Sequence, residues 1–281
     1  MTHDLSAPLR VAWTVPDDAE TAGRMLERLI EGRVLFIEAE LTKMSAVPLA
    51  QALGKLEKVA ARLTLIGNVE ALKAFAGSHS ETGNMEALLL LEGGETPESA
   101  AFVTGRFSQS SLGLWSTPVS LENFPTALAL AADMGLQLSI LNPHAPAVHL
   151  DSELRSSLAA IWNKVATKPR AVVHDLFLAE ALGLDPFNHY KGCAAAGALA
   201  YLDATGKLKA CRTLPLPLGD LATTSLKTIW RGELRRGFLT VFQSAPDACD
   251  DCALALRCRG GCPGLAGKDG RDRSCTETRK G

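Results

Sequence analysis

The chain has 281 residues, 47% of them hydrophobic, with 29 basic and 31 acidic residues and a formal charge of −2. That composition is enough for the core of one large domain, or of one large and one small domain. The near balance of charge gives no reason to expect nucleic acid, and no Lys/Arg run suggests a polybasic membrane patch.

The N-terminal stretch MTHDLSAPLR is polar and lacks the apolar run of a signal peptide. No apolar run approaches the roughly 20 residues of a membrane helix, so the expectation is no membrane and a cytoplasmic location. LRVAWTV (9–15) reads as a short strand ended by Pro16 and two aspartates. AETAGRMLERLIEG follows, with Ala22, Met25, Leu26, Leu29 and Ile30 at helical spacing and Gly32 to stop it. RVLFIEAEL (33–41) is a second strand, and VPLAQALGKLEKVAARL a second helix with Pro48 near its start. LTLIGN (63–68) and EALKAFAG, then EALLLLEGG (86–94) and TPESAAFVTGRF, repeat the pair. LGLWSTPV (112–119) with ENFPTALALAADMG, and LQLSILNPH (136–144), complete about six strand–helix units. Runs apolar on both faces predict a parallel sheet covered by helices. The fold class is therefore α/β, an open sheet or a partial barrel, with ligands expected at the C-terminal ends of the strands. No GxGxxG or GxxxxGK[ST] follows any strand, so nucleotide binding by those routes is unsupported.

After His144 the pattern changes. DSELRSSLAAIWNKVATK (151–168) reads as an amphipathic helix capped by Asp151 or Ser152, and RAVVHDLFLAEALGL as continued helical packing. From Asp185 onward Gly, Pro and Cys rise together. The expected division is residues 1–150, a helical linker over 151–185, and a cysteine-rich domain over 186–281.

All seven cysteines lie in that last region: Cys193, Cys211, Cys249, Cys252, Cys258, Cys262 and Cys275. An odd number cannot all pair as disulfides, and in a reducing compartment clustered thiols read as metal ligands first. Thiolates select zinc or iron–sulfur clusters, and four complete one zinc site or one cubane. Seven complete one site and leave three ligands for a second. CxxC pairs such as Cys249 and Cys252 are typical of zinc knuckles, whereas the glycines of Cys258-Arg259-Gly260-Gly261-Cys262 can bring backbone amides close to an anionic centre. Spacing alone leaves zinc and iron–sulfur level.

Residues 187–277 resemble a known family. A first Cys, then GKLKAC (206–211), then CxxCxxxxxCxxxC (249–262), then a last Cys is similar to the seven-cysteine signature of the SPASM domain, the C-terminal extension of many radical S-adenosylmethionine enzymes. LPLGDLATTSLKTIWRGELRRGF (216–238), CRGGCPG and DRSC resemble the segments between and after those cysteines. The resemblance implies two auxiliary [4Fe–4S] clusters. It assigns Cys249, Cys252, Cys258 and Cys275 to one, and Cys193, Cys211 and Cys262 to the other. That second cluster lacks the upstream cysteine of fully ligated members, and in DPFNHYKGC His189 is the nearest donor of suitable type.

The resemblance also implies that the first half is the partial (β/α)6 barrel of the radical S-adenosylmethionine core. There the family carries CxxxCxxC after the first strand. This chain has TVPDDAETAGR in that place, with hard oxygen donors, and no cysteine before Cys193. Where the family's second strand often ends in GGEP, this chain has IEAEL, with Glu40 at the glutamate position and Glu38 and Ala39 at the glycines. S-adenosylmethionine is not an expected cofactor, and a self-sufficient radical enzyme is not expected.

Three functions follow. The first is a non-catalytic iron–sulfur accessory in peptide or cofactor maturation, passing electrons or anchoring a peptide substrate beside a radical enzyme or another redox partner. The second is a zinc-stabilised binding module. The third is an oxidoreductase using an open iron of the incomplete cluster. Other features read as structural: His174-Asp175 as packing or a helix cap, Ser110 and Ser111 without a GxSxG elbow, Arg235 and Arg236 as a solvated helix face, and Trp230 as a buried anchor.

Overall fold

A computed structural model of the chain describes residues 5–56, 61–185, 193–242 and 244–275. The chain divides into two compact units. The first takes Met1–Leu112, Ala195–Cys211 and Pro215–Arg236, and the second Gly113–Ala194, Arg212–Leu214 and Gly237–Gly281.

The first unit opens with four strand–helix pairs. β1 (Arg10–Thr14) leads to α1 (Ala19–Glu31), and β2 (Phe36–Glu40) to α2 (Lys43–Gly54). β3 (Arg62–Gly67) leads to α3 (Val69–Ser78), and β4 (Glu86–Leu90) to α4 (Pro97–Arg106). Each strand runs parallel to the next, with Val11 opposite Ile37, Ile37 opposite Leu63, and Leu65 opposite Ala87. The strands are buried almost throughout, as a sheet covered on both faces requires. Trp13, Ile37, Leu65, Ile66 and Leu89 from the sheet meet Leu26, Leu29, Leu72 and Phe75 from the helices in the fully buried core.

Local chemistry starts these helices. Asp18 accepts from the backbone N–H of Glu20 and Thr21, Thr42 and Ser45 form a reciprocal capping box, and Asn68 accepts from Ala71. The capping box moves the start of α2 to Lys43, ahead of the Val47 expected from the apolar pattern. Pro48 lies inside the helix. Its missing N–H would have met the carbonyl of Met44, in the first turn.

A strand of the cysteine-rich segment belongs to the same unit. β8 (Leu199–Leu202) pairs parallel with β1, Val11 opposite Ala200, and antiparallel with β9 (Lys207–Cys211). β10 (Leu214–Asp220) follows β9, so the order here is β10-β9-β8-β1-β2-β3-β4. α9 (Leu226–Trp230) packs against the end of α1: a Cβ on Gly32 would fall 2.4 Å from Leu226 Cδ2.

In the second unit β5 (Gln109–Trp115, whose first residues belong to the first unit), β6 (Gln137–Leu141) and β7 (Ala171–Val173) succeed one another, with α5 (Pro118–Leu121), α6 (Phe124–Met134), α7 (Ser152–Lys164) and α8 (Leu176–Ala181) between and after them. AVV at 171–173 is thus a strand, parallel to β6, where continued helix was expected. Three residues carry no readable period, and β-branched Val172 and Val173 suit an extended backbone. The remaining elements are α10 (Glu233–Phe242), a 3₁₀ turn at Asp247–Cys249, α11 (Ala255–Cys258) and a 3₁₀ turn at Pro263–Leu265. Among the described residues no helix is long and apolar enough to cross a membrane.

Candidate metal centre

The Cys249–Cys275 segment is a chain of tight turns. Cys249 ends a 3₁₀ turn, and Cys252 N–H donates to Cys249 O at 2.9 Å. Cys258 ends α11, after which Arg259, Gly260 and Gly261 take positive φ of 52°, 83° and 83°. Three left-handed residues in succession reverse the chain between Cys258 and Cys262. Gly261 is required there: a Cβ would lie 2.5 Å from Asp272 Cβ.

Asp272 is the latch of this loop. Its Oδ2 accepts from Cys262 N–H at 3.0 Å and its Oδ1 from Ser274 N–H at 2.8 Å. Its own N–H donates to Gly260 O at 2.7 Å, and Cys275 N–H donates to Asp272 O at 2.9 Å. One buried carboxylate therefore joins the 258–262 loop to the 272–275 turn. Burial pushes its pKa up and nearby Asp175 adds to the rise, while the amides of Ser274 and Cys262 and the Ser274 side chain oppose it.

Four thiols sense one another. Burial raises the Cys249 pKa, with Cys275 and then Cys252 adding to it. Burial pushes Cys258 up to about 11, with Cys275 and Cys249 adding, while hydrogen bonds from the Gly261 and Gly260 amides work the other way. Cys249, Cys252, Cys258 and Cys275 thus sit within electrostatic reach, and two loop amides favour negative charge on sulfur. Among the described residues no three His, Cys, Asp or Glu side chains are arranged about a single metal ion.

A cation stands beside them. Arg155 on α7 is buried and donates from Nη1 to Ser274 O at 3.4 Å and from Nη2 to Leu150 O. Its guanidinium lies 5.9 Å from the Phe177 ring centroid. Phe177 and Leu254 pack on the buried pair Leu176 and Cys258. Among the described residues, Arg155 Nε is buried without a hydrogen-bond partner.

The other expected cysteines fall in both units. Cys262 and Cys193 are half-buried in the second unit; Cys211 is buried at the end of β9 in the first. His189 lies outside the described residues. Asp175 caps α8, its Oδ1 accepting from Leu178 N–H at 2.8 Å, and Ser110 Oγ donates to Val103 O. Trp230 is fully buried, as expected.

Arg235 corrects the solvated-face expectation. It is 4% exposed, donates from Nε to Ala196 O at 2.6 Å and from Nη1 to Trp230 O at 3.0 Å, and lies 4.4 Å from the Trp230 ring centroid. It serves a carbonyl at the end of α9 and covers the ring, while Arg236 alone stays exposed.

At the strand ends of the first unit the acids of TVPDDAETAGR are committed locally. Asp18 caps α1, Asp17 accepts from Thr42 Oγ1 at 3.3 Å, and Glu20 pairs with Arg24. Glu40 is buried and accepts from Thr14 Oγ1 at 3.0 Å, which also bonds Tyr201 OH at 2.8 Å.

Residues 193–253 match the family model described as SPASM, an iron–sulfur cluster-binding domain. This chain carries a SPASM domain. The matched span includes Cys193, Cys211, Cys249 and Cys252; Cys258, Cys262 and Cys275 follow it in the chain. No curated protein matches the chain. Among solved structures, it is similar to 2-keto-3-deoxy-6-phospho-gluconate aldolase from Zymomonas mobilis ATCC 29191, at 16% identity and a TM-score of 0.35, over 64% of this chain and 78% of that one. The SPASM segment has the donor chemistry of the group its family binds: soft thiols within electrostatic reach of one another, loop amides directed at Cys258, and a buried guanidinium on the carbonyl before Cys275. Asp272, Arg155 and Arg235 were not singled out as site residues, or were misplaced, by the sequence reading. Only the Asp of DRSC stood close enough to a cysteine to have signalled its role.

Proposed function

We propose that the chain is a non-catalytic iron–sulfur accessory of radical S-adenosylmethionine-dependent peptide or cofactor maturation. Cys249, Cys252, Cys258 and Cys275 hold one [4Fe–4S] cluster, and Cys193, Cys211 and Cys262 hold a second. When bound, such clusters supply one-electron transfer. The chain's own part is to gather the thiols, shield them from water and present amides to them. A radical enzyme or other redox partner, and a peptide held by the strand–helix domain, are the expected company. The observation that carries this reading is the match of residues 193–253 to the SPASM family model, supported by the nearness of Cys249 to Cys252, Cys258 and Cys275.

Two experiments test it. Full-length protein reconstituted with iron and sulfide without oxygen should bind roughly eight of each per chain if both sites are cubanes. Stoichiometric zinc without sulfide in freshly isolated protein would overturn the reading and favour a zinc-stabilised module. Separately, dithionite-reduced protein incubated with S-adenosylmethionine should release no 5′-deoxyadenosine. The acids after β1 already cap or brace helices, and Glu40 is buried on Thr14. Turnover to 5′-deoxyadenosine, read by chromatography, would make the chain an enzyme in its own right.

A further inference from the structure

We propose that Arg155 and Ser274 belong to the polar surround of the four-cysteine centre, and that the buried Arg155 charge raises that centre's reduction potential. The inference rests on the iron–sulfur reading above and goes beyond it, because neither residue belongs to the cysteine pattern.

Three observations converge. Arg155 is 7% exposed, and every hydrogen bond it makes among the described residues goes to a backbone carbonyl, Ser274 O or Leu150 O. A buried guanidinium satisfied by neutral groups alone keeps its full charge in a low-dielectric place, a costly state that an anionic neighbour relieves. Next, Arg155 is tied to the thiols from two sides. Its Nη1 holds the carbonyl of the residue before Cys275, and its guanidinium faces Phe177, which packs with Leu254 on Leu176 and Cys258. Lastly, Arg155 Nε is a buried donor without a partner among the described residues, and the buried Ser274 hydroxyl beside it acts on the Asp272 carboxylate. Natural interiors rarely leave such donors unmet, and sulfur atoms carrying negative charge accept N–H and O–H bonds.

The charge acts in a definite direction. A cluster held by four thiolates is anionic and becomes more so on reduction. A fixed cation beside it stabilises the reduced form and raises the potential. Arg271, whose charge reaches Cys249 and Cys275, acts in the same direction, and Asp269 and Asp272 act against both, so the potential reflects a balance to which Arg155 contributes the buried positive charge.

The test uses reconstituted full-length protein. Iron and sulfide are assayed first, and the midpoint potential is then followed by EPR in a redox titration. Arg155→Gln should retain iron, and one of the two cluster signals should move to a more negative potential, with Arg155→Lys between it and the parent. Ser274→Ala should shift the same signal by less. An unchanged potential in fully loaded Arg155→Gln overturns the proposal. So does loss of iron in both Arg155 variants together with loss of apo-protein helicity, because the residue then only holds the fold. Retained helicity with iron lost in Arg155→Gln and kept in Arg155→Lys also overturns it, because the charge is then needed to hold the metal rather than to set its potential. Parent protein that takes up no iron and sulfide overturns the iron–sulfur reading instead, and is told apart at the first assay.

Discussion

Replacing Gly261 by Ala is expected to remove about half of the bound iron from reconstituted protein while the sheet of the first unit stays folded. The position has φ of 83°, which costs an L-residue about 1–2 kcal/mol, and the new Cβ would lie 2.5 Å from Asp272 Cβ. Relief of such an overlap costs roughly 1–3 kcal/mol more and has to come from moving Asp272. Asp272 is bonded to Cys262 N–H, Ser274 N–H and Gly260 O, so its displacement separates the 258–262 loop from the Cys275 turn. Cys258 and Cys275 then lose their shared geometry, and metal binding with it. Iron assay together with circular dichroism checks this. Gly237→Ala, where nothing lies within 4 Å of a new Cβ, is the control and should retain all its iron. Full iron in Gly261→Ala would show that the loop does not need its left-handed turn.

Trp230→Ala should destabilise the protein by about 3–5 kcal/mol, the usual cost of truncating a buried aromatic side chain to Ala. Trp230 is wholly buried, and the Arg235 guanidinium lies on its ring. Arg235→Met keeps much of the apolar stem but leaves Ala196 O and Trp230 O without their donor, a loss of about 1–3 kcal/mol. The double variant should lose less than the sum of the two, because the cation–ring contact disappears once, at a coupling of about 0.5–2 kcal/mol. Urea midpoints of the four proteins measure the cycle. Strict additivity would mean that ring and guanidinium are neighbours without attraction.

Most of the architecture was readable because it is local. The apolar positions of α1 recur at the helical period, Asp18 and Asn68 stand next to the helices they cap, and β1 to β4 are runs buried on both faces. The cysteines were readable for a different reason. Their chemistry admits few uses, and their spacing over residues 193–275 is a pattern that the SPASM match covers in part. Short elements were not readable. β7 has three residues, too few to show a period, and only its pairing with β6 makes it a strand. β8 has four, and nothing in LAYL announces that it will pair with β1 from the far end of the chain.

The sequence by itself determined the strand–helix alternation, the absence of thiols before Cys193 and the identity of the thiols after it. Period, capping chemistry and ligand type are properties of neighbours along the chain. Only the tertiary structure decided that Arg235 is buried on Trp230, that Asp272 latches the cysteine loop, and that Arg155 holds the Ser274 carbonyl from 119 residues away. A charged residue reads as solvated until its distant partners are known. What moves it inside is a carbonyl, an amide or a ring brought to it by the fold, and no short stretch of sequence records that meeting.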